Sequence, residues 1–336
     1  MQLVHRHLTP EIERALRDTR IVNLVGPRQS GKTELVRGQL RHAAYVPLAD
    51  DKVLLSLRED PYGHLKELSV DAGETGLPVA IDDVQRFPGL ALPLKRVVDE
   101  DGRPGQFLLA GTSDVFTSRR SDDSLAGRVS TLRLRPMSAA EMQGAGPCLL
   151  LDAAASREPP ETLPRPRPVG RGELLDLLLR GGLPEKVMLS GAAGVRDYVG
   201  EVIRKDVAEV VPVRKLEAML GLVGLSASMT AREFNAQEFA RRLAVKGETV
   251  TCYIEALRET GIVHRLGAWI SGREKREVRS PKLHFMDAGL AAALRGEHRG
   301  SFGLGSDPAD LGALFETCVF TEREKSLPVQ ETRCRL

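Results

Sequence analysis

The 336-residue sequence predicts an α/β protein built on a parallel sheet with helices on both faces, followed by a helical region and a winged helix. Three observations predict this. Short apolar runs recur at Ile21-Val22-Asn23-Leu24-Val25, Tyr45-Val46-Pro47-Leu48, Val79-Ala80-Ile81, Phe107-Leu108-Leu109-Ala110 and Thr131-Leu132-Arg133-Leu134, with segments of helical length between them. Alternation of that kind gives buried parallel strands joined by crossover helices. A stretch rich in proline and arginine, with Pro159, Pro160, Pro164, Pro166 and Pro168, then disfavours helix and central strand alike. Beyond it, helical patterning resumes over Glu173–Arg180, breaks at Gly181-Gly182-Leu183-Pro184, continues from Asp197 to about Val211, and ends in helices and a hairpin between Val263 and Phe285.

The elements in order give the expected organisation. A helix around Ile12 and Leu16 precedes the first strand, which Gly26 ends. The sheet domain is placed at residues 1–143, a Pro/Arg-rich linker at 144–172, a helical lid-like region at 173–214, a winged-helix domain at 215–295 and a truncated C-terminal segment at 296–336. The length supports several cores in series. A net charge of +2 gives no general attraction to nucleic acid or anionic membrane, so any nucleic-acid contact requires a local patch. Cys148, Cys252, Cys318 and Cys334 are too dispersed for a zinc site or a disulfide framework, which fits a reducing cytoplasm. The N-terminus lacks the apolar core of a signal peptide, and no apolar run reaches the roughly 20 residues of a membrane helix.

The densest chemical signal is Gly26-Pro27-Arg28-Gln29-Ser30-Gly31-Lys32-Thr33, which satisfies G-x-x-x-x-G-K-[ST] between an apolar strand and an amphipathic helix. Gly26 and Gly31 permit the tight turn that points backbone N–H groups at phosphate oxygens. Lys32 supplies a charge for the β- and γ-phosphates, the Thr33 hydroxyl is a ligand for Mg²⁺, and Glu34 closes the segment. A mere glycine turn capping a helix would need the Lys-Thr pair by coincidence. The implied ligand is a nucleoside triphosphate, ATP with Mg²⁺.

A second signal is the strand Val79–Ile81 running into Asp82-Asp83. At that position the first carboxylate holds Mg²⁺ through water and the second orients or deprotonates the attacking water; the competing reading is an acidic turn. Thr112 and Ser113 follow a strand at its carboxyl end, where such sheets bind ligands, and one of them is a candidate sensor of the γ-phosphate. Arg128, ahead of the fifth strand, is a candidate arginine finger acting in a neighbouring subunit of a homo-oligomer, with a structural ion pair as the equal alternative.

These residues, with Ile81-Asp82-Asp83-Val84-Gln85-Arg86-Phe87-Pro88, Leu109-Ala110-Gly111-Thr112-Ser113 and Ser124-Leu125-Ala126-Gly127-Arg128, resemble prokaryotic AAA-type P-loop ATP-binding proteins. In that family the nucleotide domain is joined to a winged helix and a nuclease-like C-terminal domain. Gly181-Gly182-Leu183-Pro184-Glu185, Arg204-Lys205-Asp206 and the run from Pro281 to Leu290, which includes Asp287-Ala288-Gly289, extend the resemblance over most of the chain. It implies a P-loop NTPase fold with ATP and Mg²⁺. Two departures stand out. Asp83 replaces the family's glutamate, leaving that carboxylate roughly 1 Å or more short of the water, a misplacement on the order of a hundredfold in rate. The family's E-V-D segment is absent after Gly312-Ala313-Leu314-Phe315-Glu316-Thr317, so no nuclease activity is expected.

Gln237–Ala244, the turn Val245-Lys246-Gly247 and Thr249–Leu257 have the order of a helix-turn-helix, and Arg273, Lys275, Arg276 and Arg279 around Gly272 suit a basic wing. The second helix, carrying Thr249, Thr251, Cys252, Glu255, Arg258 and Glu259, is poorly cationic for a phosphate-contacting element. The leading expectation is an ATP-dependent, slowly hydrolysing switch acting on a protein partner. The alternative is a nucleotide-bound DNA-binding regulator.

Overall fold

Strand β1 (Ile21–Val25) is buried along its whole length between two parallel neighbours, and the rest of the first unit is arranged around it. The computed structural model describes residues 4–114, 127–148, 168–184, 191–268, 280–303 and 307–329, in two compact units, Met1–Arg135 and Pro136–Leu336. In the first unit β2 (Ala44–Pro47), β3 (Val79–Asp82), β4 (Phe107–Gly111) and β5 (Val129–Arg133) join β1 in a sheet of order β2-β3-β4-β1-β5, every pairing parallel.

Side chains alternate across this sheet with the strand period of two. Ile21, Ile81, Phe107 and Leu109 pack into one core with residues of α3 (Asp51–Glu59), α4 (Pro61–Thr75) and α5 (Ala91–Glu100). Val22, Leu24, Ala80, Leu108 and Ala110 pack into a second core with α1 (Thr9–Asp18) and α2 (Lys32–Gly38). Both faces are therefore covered, which explains why the strands read as continuous apolar runs. Each large side chain so buried contributes about 1.5–3 kcal/mol. The register sets Val25 opposite Gly111 and Asp82 opposite Ala110, so the carboxyl ends of β1, β3 and β4 come level at one edge of the sheet.

The second unit contains α6 (Ala139–Met142), α7 (Arg171–Arg180), α8 (Gly191–Val202) continued by a π-helical turn Ile203–Val207, and α9 (Leu216–Ser228). It continues with β6 (Arg232–Glu233), α10 (Ala236–Leu243), α11 (Gly247–Glu259), β7 (Val263–Leu266), β8 (Lys282–Phe285), α12 (Ala288–Leu294) and α13 (Pro308–Ser326). The strands form an antiparallel sheet of order β6-β8-β7. Met219, Leu222, Phe239, Ile254, Leu257, Phe285, Leu290 and Leu314 join in one core. Asn235 starts α10 by accepting from the Gln237 and Glu238 amides, and Ala244 ends it in the left-handed region at φ 52°.

The units divide at Arg135/Pro136, ahead of the expected boundary after residue 143. The cause is local: Met137 N donates to Gly182 O at 2.8 Å and Ala139 N to Glu322 Oε2 at 2.9 Å, so this segment belongs with the helices. The Gly181-Gly182 break also has a structural cause. Asp287 accepts from Gly182 N at 2.7 Å and Leu290 N at 2.9 Å, and a Cβ at Gly181 would lie 2.1 Å from its carboxylate. Most of the expected linker (149–167), Glu185 and the expected wing residues Gly272, Arg273, Lys275, Arg276 and Arg279 lie outside the described residues.

Candidate nucleotide-binding site

The loop Gly26–Thr33 leaves β1 at the level carboxyl edge and runs directly into α2. Its turn is made by two left-handed residues, Gln29 at φ 62° and Gly31 at φ 91°. The second of these is accessible chiefly to glycine. Gly26 is required for a different reason, because a Cβ there would meet Leu134 O at 2.1 Å. Lys32, only 7% exposed, curls back over the loop, its Nζ donating to Gly26 O at 2.8 Å and Pro27 O at 3.0 Å. Ser30 is buried with an Oγ that has no hydrogen-bond partner among the described residues. Pro27 is buried, Arg28 half-buried, and Gln29 and Glu34 exposed.

Asp82 ends β3 beside this loop and is 3% exposed. Its Oδ2 accepts from the Thr33 hydroxyl at 2.7 Å and the Tyr45 hydroxyl at 2.8 Å, and its Oδ1 accepts from Asp83 N at 3.0 Å. Burial, and then the hydrogen bond to this carboxylate, hold the Tyr45 phenol above its ordinary pKa, so it remains a donor. The structure thus brings together Thr33 and Asp82, the two metal-ligand candidates of the sequence. Tyr45 was legible only as part of a strand.

Asp83 adopts the left-handed conformation, φ 58°. Its Oδ1 accepts from Gln85 Nε2 at 3.0 Å, while Gln85 Oε1 accepts from Thr112 N at 3.2 Å. One buried amide therefore links the second carboxylate to the end of β4. Gly111 makes room for it, since a Cβ there would lie 3.0 Å from Gln85 Oε1. Thr112 is buried and its Oγ1 has no hydrogen-bond partner among the described residues, whereas Ser113 is half-buried. Of the two sensor candidates, Thr112 is the one with an unused hydroxyl in the interior.

Arg128 is not brought to this site. It precedes β5, whose first residue Val129 pairs with Ile21, and Ile21 N donates to Arg128 O; this is the amino edge of the sheet, opposite the loop. Its guanidinium holds Asp99 by two bonds, of 2.5 and 3.0 Å, and Arg20 shares the same carboxylate. That arrangement is the ion-pair alternative. Ser124-Leu125-Ala126 lie outside the described residues.

The donor set suits a small hard cation: a hydroxyl at the end of the Gly26–Thr33 loop and a carboxylate at the end of β3, already 2.7 Å apart. Mg²⁺ is held in this manner, by few protein oxygens with phosphate and water completing the shell. Two buried hydroxyls without partners, Ser30 and Thr112, lie on the loop and at the neighbouring strand end, where a phosphate group would give them partners.

Residues 18–143 match the family described as an AAA domain. The parallel sheet and the Gly26–Thr33 loop of the first unit lie within that match, which supports an AAA-type P-loop fold there. Residues 171–301 match a family described as a domain of unknown function, DUF8612. The chain is 29% identical over 301 residues to the uncharacterised proteins Mb2031c of Mycobacterium bovis and Rv2008c of Mycobacterium tuberculosis, covering 88% of this chain and 60% of each relative. It therefore spans less than two thirds of their length. Among solved structures it is similar to PH0952 of Pyrococcus horikoshii, a signal transduction ATPase with numerous domains (STAND) protein with a tetratricopeptide repeat sensor. The identity is 13%, the TM-score 0.31, and the match covers 93% of this chain and 47% of that one. C. elegans PCH-2 gives 14% identity and a TM-score of 0.27, over 72% and 61% of the two chains. No helix among the described residues is long and apolar enough to cross a membrane.

Proposed function

We propose that the chain is a Mg²⁺-dependent ATP-binding protein with slow hydrolysis, acting as a conformational switch on a protein partner through its second unit. The observation that carries this reading is the 2.7 Å hydrogen bond from Thr33 to Asp82, which brings the two metal-binding groups of an AAA-type domain together at the mouth of the phosphate loop. In this reading the loop amides and Lys32 hold the phosphates, with Lys32 exchanging its contacts on Gly26 O and Pro27 O for phosphate oxygens. When bound, Mg²⁺ neutralises charge on the β- and γ-phosphates, with Thr33 and Asp82 as its protein anchors. Asp83 orients the attacking water and Thr112 reads the γ-phosphate. Titration with ATP and measurement of its turnover in wild type and Lys32→Ala test this. Binding lost in the variant supports it; equal low turnover in both removes the hydrolysis, and absence of binding by the wild type removes the switch.

The second unit supplies a second reading. Its order of α9, β6, α10, α11, β7 and β8 is compatible with a winged helix, and in that reading α11 is the helix offered to a partner. DNA is the less favoured partner because Glu255 accepts from Arg258 at 2.7 Å and from Arg265 at 2.6 Å, neutralising the cations beside that helix. Affinity for DNA rests largely on unneutralised phosphate contacts and falls steeply with salt, so gel-shift titration at several salt concentrations separates the two readings.

A further inference from the structure

Arg6 lies on the segment ahead of α1, outside every motif in the sequence, yet its side chain is 5% exposed and ends on the phosphate loop. Nη1 donates to Ser30 O at 2.6 Å and Nη2 to Arg135 O at 2.7 Å. Its backbone is fixed as well. Arg6 N donates to Gln39 Oε1 at 3.0 Å, and Gln39, the residue closing α2, returns a hydrogen bond to Val4 O at 2.7 Å. The arginine is thus anchored at one end of α2 and reaches the loop that opens the other. Gly31 admits it, since a Cβ there would lie 3.3 Å from Nη1.

We propose that Arg6 is the positioning residue that orients the Ser30–Gly31 peptide for phosphate and ties the shape of the loop to the end of β5. The inference rests on the nucleotide reading above and names a group that carries it out. A trans peptide sets its N–H opposite its C=O. Holding Ser30 O on the guanidinium therefore aims the Gly31 N–H away from Arg6. A loop that cradles an anion needs that polarity, amides toward the phosphate and carbonyls away. A single cation on the Ser30 carbonyl enforces it before ligand arrives. Arginine suits the task because its planar fork spans two carbonyls at once, which a lysine ammonium on a flexible stem does not hold in fixed geometry. Through Arg135, the last residue of the first unit, the same fork makes any movement of the loop felt where the chain leaves the sheet.

The test compares wild type, Arg6→Lys and Arg6→Gln by calorimetric titration with ATP and, separately, with inorganic triphosphate, both in Mg²⁺, at a temperature where thermal melts show each protein folded. Orientation of the loop predicts that Arg6→Lys, which keeps the charge, weakens both ligands about tenfold or more, and that Arg6→Gln weakens them at least as much. Wild-type affinity for triphosphate in folded Arg6→Lys overturns the proposal while leaving the nucleotide reading intact. A lower melting temperature at unchanged affinity does the same, since it reveals a purely structural role. A wild-type protein that binds neither ligand removes the nucleotide reading and this proposal together.

Discussion

Replacing Thr33 by valine removes one hydroxyl and keeps the β-branched shape, at an exposed position in the first turn of α2 where core packing is not at stake. Without ligand the loss is the hydrogen bond to the Asp82 carboxylate. Bonds to charged acceptors contribute about 1.5–3 kcal/mol. The low end applies, because Tyr45 still donates to the same oxygen, Oδ2. In the proposed reading the same hydroxyl anchors the metal when nucleotide is bound, and loss of a group that orients or completes a metal site costs roughly 10–100-fold in affinity, or about 1.4–2.7 kcal/mol. The two effects separate in a paired titration. ATP affinity measured in Mg²⁺ should fall by that factor, while affinity measured in EDTA should stay near wild type. A Thr33→Val protein that keeps the wild-type ratio of Mg²⁺ to EDTA affinity would refute the assignment of Thr33 and Asp82 as the metal-binding pair.

Asp83→Glu should raise ATP turnover over wild type with little change in affinity, measured as kcat by phosphate release; unchanged kcat would mean that reach is not what limits this carboxylate. Arg128→Ala should leave turnover per site unchanged at all protein concentrations, because the side chain is occupied by Asp99; a large loss that depends on protein concentration would instead support a finger acting between subunits. Glu255→Gln weakens the hold on Arg258 and Arg265, and should increase salt-sensitive DNA binding in gel shifts if α11 can meet a duplex at all. His284, 1% exposed and stacked on Phe320 with ring centroids 4.3 Å apart, has its pKa lowered to about 4, by burial first and then by Lys282, against the opposing pull of Glu316. The unfolded chain therefore binds the extra proton between the ordinary value of 6.5 and about 4. Stability is full above that window and falls by about 3 kcal/mol as pH drops through it. Denaturant melts across this range should show the loss in wild type and a flatter profile in His284→Phe.

The sheet was legible because strands buried on both faces leave uninterrupted apolar runs, and the loop because its glycines and Lys-Thr pair are local in sequence. Thr33 and Asp82 could be named for the same reason, each lying at the end of a readable strand or loop. What was not legible is what the fold brings in from elsewhere. Arg6 reaches Ser30 from an unremarkable N-terminal segment, and Tyr45 reaches Asp82 across the β2–β3 pairing, where its neighbours in sequence suggested only a strand. Gln85 lay inside a quoted motif, but nothing in the order of residues indicates that its amide spans Asp83 and Thr112. For Arg128 the sequence left a finger acting in a neighbouring subunit and a structural ion pair as equal alternatives, because its two bonds to Asp99, 29 residues away in sequence, exist only in the folded chain.

At Asp83 a left-handed backbone turn and the Gln85 link to the end of β4 coincide. A non-glycine residue in the left-handed region costs on the order of 1 kcal/mol, and aspartate is among the residues that bear it most easily. The conformation is fixed by three contacts: its own N–H on Asp82 Oδ1, its carbonyl accepting from Arg86 N at 3.0 Å, and its carboxylate accepting from Gln85. The backbone is thus turned at the end of β3, next to the Asp82 carboxylate, and the shorter side chain is the one suited to that turn. Glutamate at this position would extend toward the water but give up part of the conformational fit. The gain in rate expected for Asp83→Glu therefore comes with a loss of stability of about 0.5–1 kcal/mol, since a longer side chain without the local hydrogen bonding of aspartate is less at ease at positive φ. The same amide that holds Asp83 also holds Thr112 N, so in the proposed reading a γ-phosphate engaging the Thr112 hydroxyl would act on a residue two hydrogen bonds from the carboxylate assigned to the attacking water.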